Sequence, residues 1–387
     1  MDNQRIFDQR ITFVRPSLPK LSELADQLRE TLTSGVLTKG PQLSLFEEQL
    51  AAHLGVKHAV AVSSCTSGLM LTYQALGISG EVIVPSFTFL ATVAALRWCG
   101  ARPVFADIDK RTMNLDPNAA EAAITPRTAA IVAVHNFGAP AEINALQAVA
   151  DRHGLHLIFD AAHGFGSLFS GEPLGRHGDA EVFSMAPTKL LIAGEGGVVA
   201  TNNDHLAQTI RIGREYGNDG HYNSAFAGMN ARLSELHALV GLRSLQRLEN
   251  AARARNRVAE YYRERLGRLP GLSFQLTGNG DRSSYTCFPV VVEPEFFELT
   301  RDELAAALAV RNIETRRYYY PPVHQQTAYR EFTRTSLANT EAVSSRVLSL
   351  PVWSEMETEI VSAICNAVEQ VHELACENPQ KRSAFAG

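Results

Sequence analysis

Between residues 43 and 202, short apolar runs alternate with stretches in which hydrophobic positions recur every three or four residues. LSLFEEQLAAHLG has helical spacing and stops at Gly55, as a helix does where glycine can turn left-handed. HAVAV follows as a strand, then the turn SSCTSG, then the helical LMLTYQALG. EVIVP predicts a strand, and TFLATVAALRWCG a helix closed by Gly100. The alternation continues with the strand RPVFADID, which ends in carboxylates, the strand AAIVAVHNFG and the helix INALQAVADRHG. LHLIFDAAHG, AEVFSM and GGVVATN are three further strands. Apolar strands alternating with amphipathic helices predict an α/β fold with a mostly parallel sheet and helices on its faces.

After about residue 230 the pattern changes. LSELHALVGLRSLQRLENAARARNRVAEYYRERLGRLPG is helical throughout, and predicts a long connecting helix around 233–268. Beyond it come a strand (YTCFPVVVE), a helix opened by a Thr300/Glu303 capping box, a strand (IETRRYYY) and a last helix over 355–375. The expected organisation is a large domain over 1–250 and a smaller C-terminal α/β domain over 251–387, with a disordered tail from 377.

Composition changes little in this picture. The 387 residues carry a formal charge of −5, which gives no general attraction to nucleic acid. Five cysteines without C-x-x-C spacing fit a reducing compartment better than a disulfide framework or a zinc site. The N-terminal residues contain no apolar signal region, and the most apolar stretch, VIVPSFTFLATVAAL, is too short to span a bilayer. The expectation is a cytoplasmic protein with no membrane partner.

In an open parallel sheet, ligands sit beyond the carboxyl ends of the strands. After HAVAV stand Ser63, Ser64, Cys65, Thr66 and Ser67, opening a helix. Hydroxyls and free N–H groups at a helix N-terminus suit a phosphate; the same turn also serves as an ordinary N-cap. After EVIVP stand Phe87 and Phe89, either of which fits a core position as well as a site. Asp160 ends LHLIF, with His163 three residues on, and Ser184 and Lys189 follow AEVF. A carboxylate in so apolar a run needs a cationic or hydrogen-bonding partner. An anion cradle, an aromatic, a carboxylate and a lysine, each just past a strand, together suit pyridoxal 5′-phosphate. The cradle takes its phosphate and the aromatic its ring. The carboxylate keeps the pyridine nitrogen protonated, and the lysine amine joins the aldehyde. Other motifs do not compete. There is no G-x-x-x-x-G-K-[ST], GEGG does not open a helix, and no H-E-x-x-H or Cys/His cluster suggests a metal.

At this point the chain resembles the DegT/DnrJ/StrS sugar aminotransferases, pyridoxal-phosphate enzymes of fold type I. The likeness runs from GPQLSLFEEQLAAHLGVKHAVAVSSCTSGL to LSLPVWSEMETEIVSAI. In between, VIVPSFTFLATVAAL, DAAHGFGS, FSMAPTKLLIAGEGGVVAT, GMNARLSELHALVGLRSLQRL and IETRRYYYPPVHQQTAY keep the family's order. The resemblance implies that Lys189 bonds the cofactor, Asp160 pairs with the pyridine nitrogen, and Thr66, Ser67 and Ser184 hold the phosphate. It implies that Phe89 stacks on the ring, and that Asn230 and Arg232 reach the site of a neighbouring subunit in a homodimer. His163 stands where many members carry Gln, and Tyr318 where many carry His. Tyr318, His324 and Arg232 are the implied substrate contacts.

The activity so implied is amino transfer from L-glutamate or L-glutamine to a nucleotide-linked keto sugar, best matched by amination at C4 of a dTDP-4-keto-6-deoxyhexose. The cofactor would alternate between pyridoxal and pyridoxamine forms. Amination at C3, or of a cyclitol ketone, stays open. Sugar dehydratases of the family carry His in place of the lysine, so Lys189 argues against that chemistry, and against a binder without turnover.

Overall fold

The computed structural model describes residues 6–377, so the tail expected to be disordered lies outside the described residues except for its first position. The chain begins with α1 (Leu21–Ser34) and α2 (Pro41–Leu54), then enters the sheet with β1 (His58–Val62). There follow α3 (Cys65–Ala75), β2 (Glu81–Pro85), α4 (Leu90–Trp98), β3 (Arg102–Ala106), α5 (Pro117–Ala122), β4 (Thr128–Val134), α6 (Ile143–His153) and β5 (His156–Ala161). A small hairpin, β6 (Leu168–Phe169) and β7 (Glu172–Pro173), precedes β8 (Ala180–Ser184), β9 (Gly197–Thr201) and α7 (Asp204–Gly213).

Seven of these strands form one sheet in the order β1-β9-β8-β5-β4-β2-β3. β9 alone is antiparallel to its neighbours, β1 and β8; the other pairs are parallel. The strands are apolar on both sides because both sides are covered. One core cluster holds Phe46, Phe159 and Phe183, and the other holds Leu69, Val93 and Ile210.

The expected continuous helix over 233–268 is two helices, α8 (Glu235–Leu245) and α9 (Leu248–Leu266). Arg247, at φ −104° and ψ −4°, caps the second. Apolar spacing alone did not show this break, since the residues on either side keep helical geometry.

The second unit contains β10 (Leu272–Phe274), β11 (Phe288–Val292), α10 (Pro294–Phe297), α11 (Arg301–Val310), α12 (Ala338–Arg346), β12 (Val347–Leu350) and α13 (Thr358–Glu377). Its sheet runs β10-β11-β12, antiparallel throughout. The strand expected over IETRRYYY is instead an irregular segment, with isolated bridges from Ile313 to Ile11 and from Arg316 to Ser349. The division expected at residue 250 is crossed in three ways. Ile11 packs into the second unit's core, Leu248 and Ala252 start α9 inside the first, and Val323, Phe332 and Leu337 return to the large sheet.

Candidate active site

The carboxyl ends of β1, β2, β5 and β8 converge on a cavity of about 350 Å³. Thr66, Phe89, Asp160, His163, Ser184, Lys189 and Tyr318 all border it. Residues from turns far apart in the chain are thus brought to one place by the strand order.

The first wall is the N-terminus of α3. Ser64 is its N-cap; its Oγ accepts the Ser67 N–H at 3.0 Å, and Ser67 Oγ accepts the Ser64 N–H at 3.0 Å. Ser67 is therefore committed to the cap and does not border the cavity, whereas Ser64, Cys65 and Thr66 do. The N–H groups of Cys65 and Thr66, in the first turn, stay available to a ligand. β9 passes hard against this turn: a Cβ on Gly197 would lie 2.4 Å from the Ser64 carbonyl carbon and 2.5 Å from the Cys65 nitrogen. Ser184, the last residue of β8, adds a hydroxyl from the neighbouring strand end.

Asp160 stands near the end of β5 and is 5% exposed. Its Oδ2 accepts from Thr92 Oγ1 at 2.7 Å, and its Oδ1 from the Ala162 N–H at 3.0 Å. Thr88 Oγ1 lies 2.8 Å from Thr92 Oγ1. A carboxylate can only accept, so Thr92 donates to Asp160 and Thr88 donates to Thr92. The Cys65 thiol lies 3.8 Å from Oδ1. Burial pushes that thiol's pKa well up, with the Asp160 charge adding to it, so Cys65 stays a thiol. Among the described residues, no cation lies within ion-pair distance of Asp160. Its negative charge is held by neutral donors and faces the cavity, an arrangement suited to a protonated ring nitrogen.

Lys189 lies in the turn between β8 and β9, half-buried. Burial lowers its pKa below the usual lysine value, and the Cys65 and Asp160 groups oppose that shift. His163 Nδ1 accepts the Phe137 N–H at 3.1 Å, which leaves the proton on Nε2 as a donor. Burial and the Lys189 charge push its pKa well down, so the ring is neutral.

The two candidate aromatics separate clearly. Phe87 is fully buried against Phe137 and Tyr319. Phe89 is 53% exposed and borders the cavity.

Three candidate residues lie outside the cavity lining. His324 is 3% exposed; its Nδ1 is 2.6 Å from Ser86 Oγ and its Nε2 is 3.2 Å from Glu341. It ties the 321–326 turn to the end of β2 and does not border the cavity. Asn230 pairs with Glu215 in an isolated bridge. Arg232 reaches the same glutamate at 3.4 Å. Both sit outside the cavity lining.

Thr92, Glu195, Tyr319 and the N-terminal Phe13 escaped sequence reasoning. Glu195 and Phe13 border the cavity, as does Tyr319. GEGG was the only signal for Glu195, and its carboxylate has no hydrogen-bond or ion-pair partner among the described residues.

Pyridoxal phosphate fits these residues on chemical grounds. Backbone donors and hydroxyls stand at one wall, a carboxylate held ready for a cation at another, and an amine of lowered basicity between strands. Among the described residues, no group of three or more metal-ligating side chains is present, and no helix is long and apolar enough to cross a membrane.

A family model described as the DegT/DnrJ/EryC1/StrS aminotransferase family matches residues 20–369. The spore coat polysaccharide biosynthesis protein SpsC of Bacillus subtilis (strain 168) is 35% identical over 382 residues, covering 94% of this chain and 98% of its own. Among solved structures, DesI in the presence of its TDP-sugar product is similar at a TM-score of 0.92 and 38% identity, covering 99% of this chain and 96% of its own. DesV of S. venezuelae gives a TM-score of 0.86 at 35% identity over 94% of this chain and 99% of its own. On a match of that extent, the chain belongs to the DegT/DnrJ/EryC1/StrS aminotransferase family and is a pyridoxal-phosphate-dependent aminotransferase.

Proposed function

We propose that the protein transfers an amino group from glutamate or glutamine to a nucleotide-linked keto sugar, with C4 of a dTDP-4-keto-6-deoxyhexose as the acceptor carbon. The observation that carries the reading is that Lys189 and the unpaired charge of Asp160 border one cavity. The nucleotide-linked acceptor is supported by DesI, a similar protein whose crystal structure was analysed in the presence of its TDP-sugar product.

When bound, pyridoxal phosphate supplies a ring that accepts electrons from the carbon bearing the transferred nitrogen. The chain does the rest. Cys65 N–H, Thr66 and Ser184 hold the phosphate end, with Ser67 fixing the turn that presents them. Asp160, oriented by Thr92 and Ala162, holds the proton on the ring nitrogen. His163 donates from Nε2 toward the ring oxygen, and Phe89 covers a face. The Lys189 amine, less basic than an exposed lysine, takes the proton from the donor's nitrogen-bearing carbon in the first half-reaction and delivers one to the acceptor carbon in the second. Donor and acceptor use one site in turn, so the kinetics are ping-pong.

The test is a screen of nucleotide-linked keto sugars with glutamate and with glutamine as donor, read by product mass and by NMR for the carbon aminated. A 4-amino product supports the reading. A 3-amino product corrects the ring position, and turnover of free cyclitol ketones alone would remove the nucleotide-linked acceptor.

A further inference from the structure

His163 borders the cavity, and one bond on its far nitrogen decides what it can offer there. A neutral imidazole carries its proton on either nitrogen, and the partner of one nitrogen selects the tautomer. That partner is a peptide group: the Phe137 N–H donates to Nδ1 at 3.1 Å. A peptide N–H keeps its proton and cannot turn round to accept one. The bond therefore admits the Nε2–H form and excludes a proton on Nδ1. Burial and the Lys189 charge likewise disfavour a second proton.

The donor sits in a turn that needs holding. Phe137 has φ 59° and ψ 5°, a left-handed conformation that residues other than glycine keep only where their surroundings impose it. Asn114, fully buried between β3 and α5, imposes it. Its Oδ1 accepts the Asn136 N–H at 3.0 Å, and its Nδ2 donates to the carbonyls of Ala139 and Pro140 at 3.2 and 3.0 Å. One side chain thus grips the turn on both sides of Phe137. Asn136 adds a hold from within, donating from Nδ2 to the carbonyls of Phe87 and Met113 at 2.9 and 2.8 Å. Neither asparagine borders the cavity. Released from the clamp, the imidazole is free to take the other tautomer, which presents a lone pair to the cavity, or to take a second proton.

We propose that Asn114 is a positioning residue: by clamping the turn it keeps the Phe137 N–H on His163, and so keeps the imidazole a neutral donor toward the cofactor's ring oxygen. The inference rests on the contact between His163 and the ring proposed above.

The test has two parts. In the cofactor-free enzyme, ¹⁵N NMR of labelled histidine reads the tautomer, and the signal lost in His163→Gln identifies the residue. This separates His163 from the other titratable groups bordering the cavity, which are Cys65, Asp160, Lys189, Glu195, Tyr318 and Tyr319. In wild type the ring should stay in the Nε2–H form from about pH 8 to about pH 6. In Asn114→Ala it should mix tautomers or titrate within that range. Asn114→Asp, which keeps the shape and the acceptor but loses both donors, should do the same and serves if Asn114→Ala does not fold. The second part is the affinity for pyridoxal phosphate. Asn114→Ala should weaken it by about tenfold. In the His163→Gln background the same change should cost less than about twofold, because an amide carries its donor on a fixed nitrogen. Wild-type imidazole signals in both Asn114 variants overturn the clamp, and so does an equal loss of affinity with and without His163→Gln. Wild-type cofactor affinity in His163→Ala would instead overturn the ring contact, and is told apart because the imidazole signals still respond to Asn114.

Discussion

Two residues carry the proposed chemistry, and each can be changed alone. Lys189→Ala should lower turnover by about 10³-fold or more, while cofactor remains bound through its phosphate and ring. Single-turnover assays and cofactor absorbance check both halves. Burial lowers the lysine pKa and Asp160 raises it. Its amine in the cofactor-free enzyme should therefore become neutral below pH 10.5, and Asp160→Asn should move that midpoint lower still. Competitive acylation of the amine against pH reads this directly. Thr92→Val keeps the shape but removes the hydroxyl that holds Asp160. It should cost roughly tenfold in kcat, the size of a hydrogen bond to a charged group, and Thr92→Ser should restore it. Lys189 and Asp160 were legible in the sequence because a charge at the end of an apolar strand is costly to bury and needs a partner there. Thr92 was not, since it contacts Asp160 from 68 positions away. Nor could apolar patterning separate Phe87 from Phe89, which in the sequence only the family resemblance distinguished. They follow the same strand two positions apart, and only the packing of Tyr319 and Phe137 shows which one is core.

At the scale of elements, the site depends on helix ends being fixed. α2 has no side-chain cap of its own. Glu235, 1% exposed at the start of α8, fills that role from a distance. Its carboxylate accepts the N–H groups of Gly40, Gln42 and Leu43 at 2.9, 2.8 and 3.0 Å. Glu235→Ala leaves those donors without a partner and should destabilise the fold by about 3 kcal/mol, measured by urea unfolding. Most strands and helices of the large sheet could be read from apolar periodicity. The direction of β9 could not. A strand buried on both faces has the same apolar run whether its neighbours are parallel or antiparallel. IETRRYYY failed for the opposite reason. Its β-branched and aromatic residues mimic a strand, yet its arginines and tyrosines line a cavity wall and make ion pairs.

Across the whole molecule, the two cores are joined by α9 and by the segment carrying Val323, Phe332 and Leu337 back to the large sheet. That return is anchored at the amino end of β2. Arg334 and Arg127 bond Glu81, Arg334 at 2.6 Å and Arg127 at 2.9 Å, with the Thr125 hydroxyl at 2.7 Å. The Arg334 bond, foremost, holds the Glu81 pKa down to about 2 against the cost of burial. A depressed carboxylate stabilises the fold above its unfolded value of 4.5 and loses that contribution as pH falls from there toward 2. Glu81→Gln should therefore be less stable than wild type at pH 7, and the gap should close as pH is lowered through that window, followed by unfolding midpoints. The proposed homodimer has its own test. Asn230 and Arg232 lie outside their own protomer's cavity, so mixing Lys189→Ala with Asn230→Ala subunits should recover activity in the heterodimers. No recovery would count against a shared site.

The close passage of β9 over the α3 turn has a consequence for how the protein acquires its cofactor. Val62 and Gly197 are partners in register although most of the large domain separates them in sequence. Contacts of such long separation form late, because the intervening chain must first give up its freedom. The anion cradle is therefore expected to be completed only when β9 has paired with β1. On that ground pyridoxal phosphate is expected to bind the finished sheet rather than to template it, and once bound to stabilise that sheet by mass action.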